Sequence, residues 1–566
     1  MKRVLGLISF LLAIQFLSGC DTGTTSMEKS GEVTVSDAEL AGNPFRQDWE
    51  TPYGVPPFSD IENSDYLPAI KKAILEMRDE IQAIVSNSEE PTFANTIVAL
   101  ELAGQSLNKV SRTFGNITGT DTDEELRSLE TEIYPMLTRE YDAISLNEVL
   151  YDRVKKVYDS RESLGLNEQD SRLLELTHRS FIRSGAAFSP DVKSKIASIN
   201  EEISGLTTKF AQNLLLETKA FRLELKSDEE ISGLSDDFKS AIWDEEKEAW
   251  VVGLNRSSYE SFMVQSNNRS LREKLFNGYR LRATQGDRDN GPIAIQIAKL
   301  RAERAELMGY ESHAHYVLEY NMAKSPQGAE DFLLKVWTPG LEQAKKERAD
   351  MQAMLAGETF QAWDWWHLAE KLRLQRYELD ENQTKPYFKL ENVQAGAFAM
   401  AEKLFGLSFE EVDVEGWNPV VVSFDVKDRE GKHLGLFMTD MYARDSKRGG
   451  AWMSSYRGTS NINDDPIRPL ITNNMNLSMP PDGEPTLMRY SEVETLFHEF
   501  GHGLHGLMTQ IDYPTFSGVD GPRDYTEFPA QILEHWVSQP EMLEMYATHF
   551  ETGDVIPAEL VEKIRV

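Results

Sequence analysis

Apolar residues recur at spacings of three and four along most of the chain. Ile70, Ile74, Met77 and Ile81 mark one helical face, with Ser64 as its expected cap and Pro68 in its first turn. Comparable stripes predict helices over 97–113, 123–145, 170–183, 190–217, 268–283, 293–309, 327–356 and 362–377. The leucines and aromatics on these faces are expected in the core. Trp363, Trp365 and Trp366 read as helix packing rather than as a ligand platform. Near residue 418 the period changes. The β-branched run Val420–Val426, the turn residues Asp428–Gly431, the apolar stretch Leu434–Met441 and the segment Arg468–Leu477 predict a small sheet within about 418–480. Mainly α is therefore the expected class, with a sheet just before the segment that carries the chemistry.

Length and charge narrow the function classes. At 566 residues, 40% hydrophobic, the chain is long enough for a sizeable core and too long for one ordinary domain. Its net charge of −34 argues against nucleic acid and anionic membrane surfaces as partners. Met1-Lys2-Arg3 followed by the apolar run Val4–Leu17 is a targeting pattern, and it ends in Leu17-Ser18-Gly19-Cys20. That ending resembles the lipobox of bacterial lipoproteins. Residues 1–19 are then a leader, Cys20 the lipidated residue and membrane anchor, and 20–42 a flexible tether. The expected location is the cell envelope, facing the periplasm. Asp21 hints at the inner membrane by resemblance to enteric lipoproteins. Cys20 is the single cysteine, so a cysteine nucleophile and a cysteine metal site are both excluded.

The chemistry lies at His498-Glu499-Phe500-Gly501-His502. Ser491-Glu492-Val493-Glu494 reads as a capping box that starts a helix. Histidines four apart on that helix share a face and can reach one zinc ion. Glu499 lies about 100° round the helix, beside the metal, where a carboxylate can take a proton from water. Glu527, in a second helix expected to begin near Pro529, supplies the third ligand and leaves the fourth position open. Gly518, Gly521 and Pro522 allow the chain to double back. Glu534, seven residues on, is a candidate to orient a ligand imidazole. His505 reads as a buried structural histidine. Gly501, Gly503 and Gly506 are expected to let the second helix approach closely. A structural zinc site would need a fourth protein ligand, and the sequence offers none.

These strings resemble the thimet-oligopeptidase-like zinc metallopeptidases, and most closely their bacterial peptidyl-dipeptidase branch. The likeness extends to Asn43-Pro44-Phe45, Thr51–Phe58, Pro91–Ile97, the tryptophan-rich string at 363–366, 379–381 with 387–388, and Lys447–Trp452, so it covers roughly 43–566. It implies a two-lobed helical fold with a deep channel, in which 43–566 is the peptidase unit and 491–540 its zinc-site helices. It also implies one zinc per chain, with His498, His502 and Glu527 as ligands and Glu499 as base. The implied substrates are short unstructured peptides, losing C-terminal dipeptides or, in the alternative, cut internally. Members of the family continue with a segment bearing a histidine and tyrosines that stabilise the tetrahedral intermediate. The sequence reads as a version truncated at Val566, which leaves open an inactive lipoprotein that binds zinc and peptide. Tyr513 and Tyr525 do not substitute for the absent donors. Oligomeric state is not legible.

Overall fold

The computed structural model describes residues 33–377, 381–462, 466–481 and 483–564. The leader, Cys20 and most of the 379–381 string lie outside them. The protein is 60% helical with small sheets. Helices Asn63–Ser86, Glu124–Ser145, Glu168–Ser184, Pro190–Ala220, Arg269–Arg280, Gly291–Leu307, Pro326–Ala353 and Trp365–Tyr377 occupy the periodic segments. Several boundaries differ from expectation. The first helix starts at Asn63 because Asp65 accepts the Glu62 N–H at 2.9 Å, so Ser64 lies inside it rather than capping it. The predicted helix over 97–113 is broken at Gly104, which adopts φ 77°, before Gln105–Thr120 begins. Helices Glu148–Asp159, Arg256–Gln265 and Leu390–Phe405 were not predicted; the first two are too short for a distinct period.

Residues 33–42, assigned to the tether by sequence, form turns in which Leu40 is buried and Ser36 bonds Glu39. Among the described residues no helix is long and apolar enough to cross a membrane.

Strands β1 (Leu223–Leu225), β2 (Trp243–Asp244) and β3 (Ala249–Val252) form an antiparallel sheet in the order β1-β3-β2 that the sequence did not reveal. The larger sheet contains β4 (Ser408–Val412), β5 (Val422–Lys427), β6 (His433–Tyr442), β7 (Trp452–Arg457) and β8 (Leu470–Leu477), in the order β4-β5-β6-β8-β7. Only the β6–β8 pair is parallel, and β7 lies at an edge. Two of these strands, β4 and β7, escaped the sequence reading because their residues are mostly polar or half-buried.

Two large apolar cores organise the chain. One joins the N-terminal helices through Ile70, Ile74, Leu107, Phe114 and Phe181. The other packs the larger sheet against helices Leu390–Phe405 and Tyr490–Met508 through Phe437, Ile471, Phe497 and Phe500. Buried charges brace the sheet. Lys447 Nζ donates to the Asp440 carboxylate, to the carbonyls of Asp440 and Tyr442 and, at 2.6 Å, to that of Met475. Burial lowers the Lys447 pKa to about 8, against the pull of Asp440. Arg444 joins Asp440 to the carbonyl of Thr120 at the end of helix Gln105–Thr120. Asp364 is fully buried between Arg269 and Arg272. Its neighbours Trp363 and Trp365 pack on apolar clusters, whereas Trp366 is exposed. On helix Pro326–Ala353 only Met351 is buried. Phe332, Leu333, Val336 and Trp337 were expected in the core, but they are more than 60% exposed because no described element packs on that face.

Helix Tyr490–Met508 carries the His-Glu-Phe-Gly-His motif. It starts one residue before Ser491, and its box is formed by Glu492 accepting the Arg489 N–H at 2.8 Å. The next helix, Arg523–Val537, begins six residues before Pro529, which sits inside it. The three glycines have different uses. A Cβ on Gly501 would lie 2.6 Å from the Ala530 Cα, so this glycine admits the second helix as expected. Gly503 and Gly506 instead admit the sheet, against Phe437 and Ile471. Gly501→Ala should therefore lower the thermal midpoint, at a cost of about 1–3 kcal/mol from overpacking. Helix propensity alone would raise stability by about 1 kcal/mol. A stabilised variant would show that the helices do not meet there.

Candidate metal centre and catalytic cleft

The motif helix directs His498 and His502 from one face, with ring centroids 4.8 Å apart and planes at 85°. Glu527, one turn into the second helix, reaches toward both. Its Oε2 lies 3.2 Å from His498 Nε2 and 3.4 Å from His502 Nε2. One ligand atom from each of the three residues falls within a 4.8 Å group. Ligands at the usual zinc distances of about 2.0–2.1 Å in tetrahedral array stand about 3.3–3.4 Å apart. The two carboxylate–imidazole separations therefore match the edges of such a tetrahedron. The donor set, two imidazoles and one carboxylate, suits zinc with a vacant fourth position. Half of the Glu527 side chain is exposed.

The outer nitrogens differ. His498 Nδ1 meets Glu534 Oε1 at 2.6 Å, which fixes the ring and turns Nε2 toward Glu527. His502 Nδ1 is buried without a hydrogen-bond partner among the described residues, and so is His505 Nδ1. Burial lowers the His502 pKa, with the neighbouring His498 acting in the same direction; this favours the neutral, ligating form. Burial also lowers that of His505, which stands apart from the three converging residues.

Glu499 is 6% exposed, on the side of the motif helix that faces the edge strand. Burial pushes its carboxyl up to about 7; Glu527 adds to this, while His498, the Met453 N–H and Arg448 pull it down. A divalent cation at the three ligands would also lower it. The nearness of β7 and of Arg448, in the turn before it, was not legible in the sequence, because both lie more than forty residues away. The signal that could have found them was the Lys447–Trp452 string itself.

The edge of β7 is only partly free. Helix Gln105–Thr120 runs beside it, where Arg112 Nη1 donates to Ser455 Oγ at 2.8 Å and Asn116 Nδ2 to the Ser455 carbonyl at 3.1 Å. A cavity of about 320 Å³ lies between this helix, β7 and the loop at 517–520, lined by Arg112, Asn116, Met453, Ser454 and Asp520. Neither tyrosine weighed from sequence joins the site. Tyr513 donates its hydroxyl to Asp170 at 2.5 Å within the N-terminal core, and Tyr525 is exposed beside Phe528.

If Glu534 holds His498 as a ligand, Glu534→Ala should weaken zinc binding about ten- to a hundredfold. Titration against a competing chelator measures this, and unchanged affinity would remove Glu534 from the site.

Residues 262–566 match the model of peptidase family M3. Over 538 residues the chain is 36% identical to the dipeptidyl carboxypeptidase of Salmonella typhimurium, an alignment covering 93% of this chain and 79% of that protein. It is 36% identical to the Escherichia coli dipeptidyl carboxypeptidase, covering 92% and 78%. It is 30% identical to oligopeptidase A of Salmonella typhimurium, covering 91% and 78%.

Proposed function

From the premise that this chain belongs to peptidase family M3 and is a metallopeptidase that hydrolyses peptides, we propose that it is a zinc peptidyl-dipeptidase, with one zinc per chain held by His498, His502 and Glu527. The carrying observation is the convergence of the two Nε2 atoms on Glu527 Oε2 at tetrahedral spacing, with a buried carboxylate beside them. Zinc bound there would polarise the scissile carbonyl and acidify the attacking water.

The chain's own residues do the rest. β7 offers an edge on which an extended peptide can pair. Glu499, buried on the motif helix beside the two histidines, accepts a proton from the water as the water oxygen bonds to the carbonyl carbon. It then delivers that proton to the amide nitrogen as the C–N bond breaks, leaving a carboxylic acid and an amine, whose proton exchange gives carboxylate and ammonium. Glu534 keeps His498 in one orientation throughout.

Release of dipeptides is favoured over internal cleavage by the higher identity to the dipeptidyl carboxypeptidases than to oligopeptidase A. Glu499→Gln should abolish turnover while leaving one zinc bound. Mass spectrometry of short peptides with free and amidated C-termini, with and without chelator, checks this. Wild-type rates in the variant would exclude Glu499 as base, and cleavage of both peptide forms at internal bonds would make the enzyme an oligoendopeptidase.

The envelope location rests on the lipobox-like Leu17–Cys20. Cys20→Ala should move the protein from the membrane pellet to the soluble fraction. An unchanged distribution would refute the lipid anchor.

A further inference from the structure

Two arginines flank the edge strand of the cleft, and their surroundings differ. Arg112, beside Ser455, donates to that hydroxyl, and the charge of Asp520 acts on it. Arg448 stands at the other end. Its guanidinium carbon lies 4.0 Å from the ring centre of Trp452, the first residue of β7. The buried Glu499 is near enough for its charge to act on Arg448.

The Arg448 backbone is pinned on both sides. Its N–H donates to the Gly119 carbonyl at 3.0 Å, and its own carbonyl accepts from Asn476 Nδ2 at 3.0 Å. The Arg448 side chain passes 3.8 Å from the Cβ position of Gly119. Yet no carboxylate among the described residues comes within ion-pair distance of the guanidinium, although Asp and Glu outnumber Lys and Arg by 93 to 59. The two residues that follow, Gly449 and Gly450, have open space where a side chain would stand. An exposed cation held on an aromatic face, close enough to Glu499 for their charges to interact and with no ion-pair partner among the described residues, is arranged for an anion that arrives with the substrate.

We propose that Arg448 binds the free C-terminal carboxylate of the peptide and so sets the cleavage point two residues from that end. A peptide paired with β7 advances about 3.3 Å per residue. A carboxylate two residues past the scissile bond therefore lies about 7 Å from it. A planar fork on an indole face suits bidentate capture of a carboxylate. This proposal rests on the peptidyl-dipeptidase reading.

The test is calorimetric binding of N-acetyl-tetraalanine, as free acid and as C-terminal amide, to zinc-loaded Glu499→Gln protein. The same measurement is then made with Arg448→Gln or Arg448→Lys added. The free acid should bind at least about tenfold more tightly than the amide, and Arg448→Gln should erase that difference by weakening the acid alone. Arg448→Lys should restore part of it, since the charge remains and the fork is lost. If Arg448→Gln weakens acid and amide equally, the residue is structural and the proposal fails. A preserved preference would also overturn it, leaving the peptidyl-dipeptidase reading intact. Absence of any preference in the parent protein would overturn that reading, and this proposal with it.

Discussion

At Gly501 the motif helix has no side chain, and the backbone of Ala530 occupies the space that a Cβ would need. This contact lies one residue before His502 and three residues after Glu527 in their respective helices. It brings the two backbones close enough for Glu527 to reach both imidazoles at 3.2 and 3.4 Å. Were the helices held apart by one methyl group, the carboxylate would have to stretch or rotate, and the metal geometry would loosen. The metal centre is thus a consequence of packing as much as of ligand identity. Gly503 and Gly506 serve the opposite side, letting the helix settle on the larger sheet.

That second contact joins the metal centre to the cleft. The sheet carries β7 at its edge, and Met453 of that strand packs by Gly506 of the motif helix. What fixes the edge is the buried group around Asp440, where Lys447 and Arg444 gather carbonyls from β6, β8 and helix Gln105–Thr120. A buried charge pair of this kind adds little net stability but makes one arrangement far better than its alternatives. Here the arrangement sets the approach of Arg448 and Trp452 to Glu499.

Most of the helices were legible because amphipathic stripes long enough to show a period have one way to bury their apolar face. The exception is instructive. Phe332, Leu333, Val336 and Trp337 have the composition of a core, but composition does not say whether another element covers them, and none described here does. Caps were misplaced at Ser64 and Ser491 because Asp65 and Glu492 accept N–H groups of residues two earlier than the serines would cap from. Glu62 and Arg489 are poor caps by propensity, and only the local turn makes them so. The short sheet β1–β3 and the polar edge β7 carried too little pattern to be seen.

The sequence by itself determined the helical class, the His-Glu-Phe-Gly-His motif and Glu527 as its partner, and through their likeness a peptidase. The first two follow from local spacing, since residues four apart on a helix share a face wherever that helix lies; Glu527 was indicated by Pro529 and the turn residues before it, and the peptidase by family likeness alone. Tertiary structure alone decided which glycine met which neighbour, that Glu534 holds His498, and that Glu499 is buried against Met453. It also decided that Arg448, just before the edge strand, has no ion-pair partner among the described residues. Those facts depend on the distances between segments that are remote in the chain. Such distances are set by how whole helices and strands pack, and no local pattern of residues encodes them.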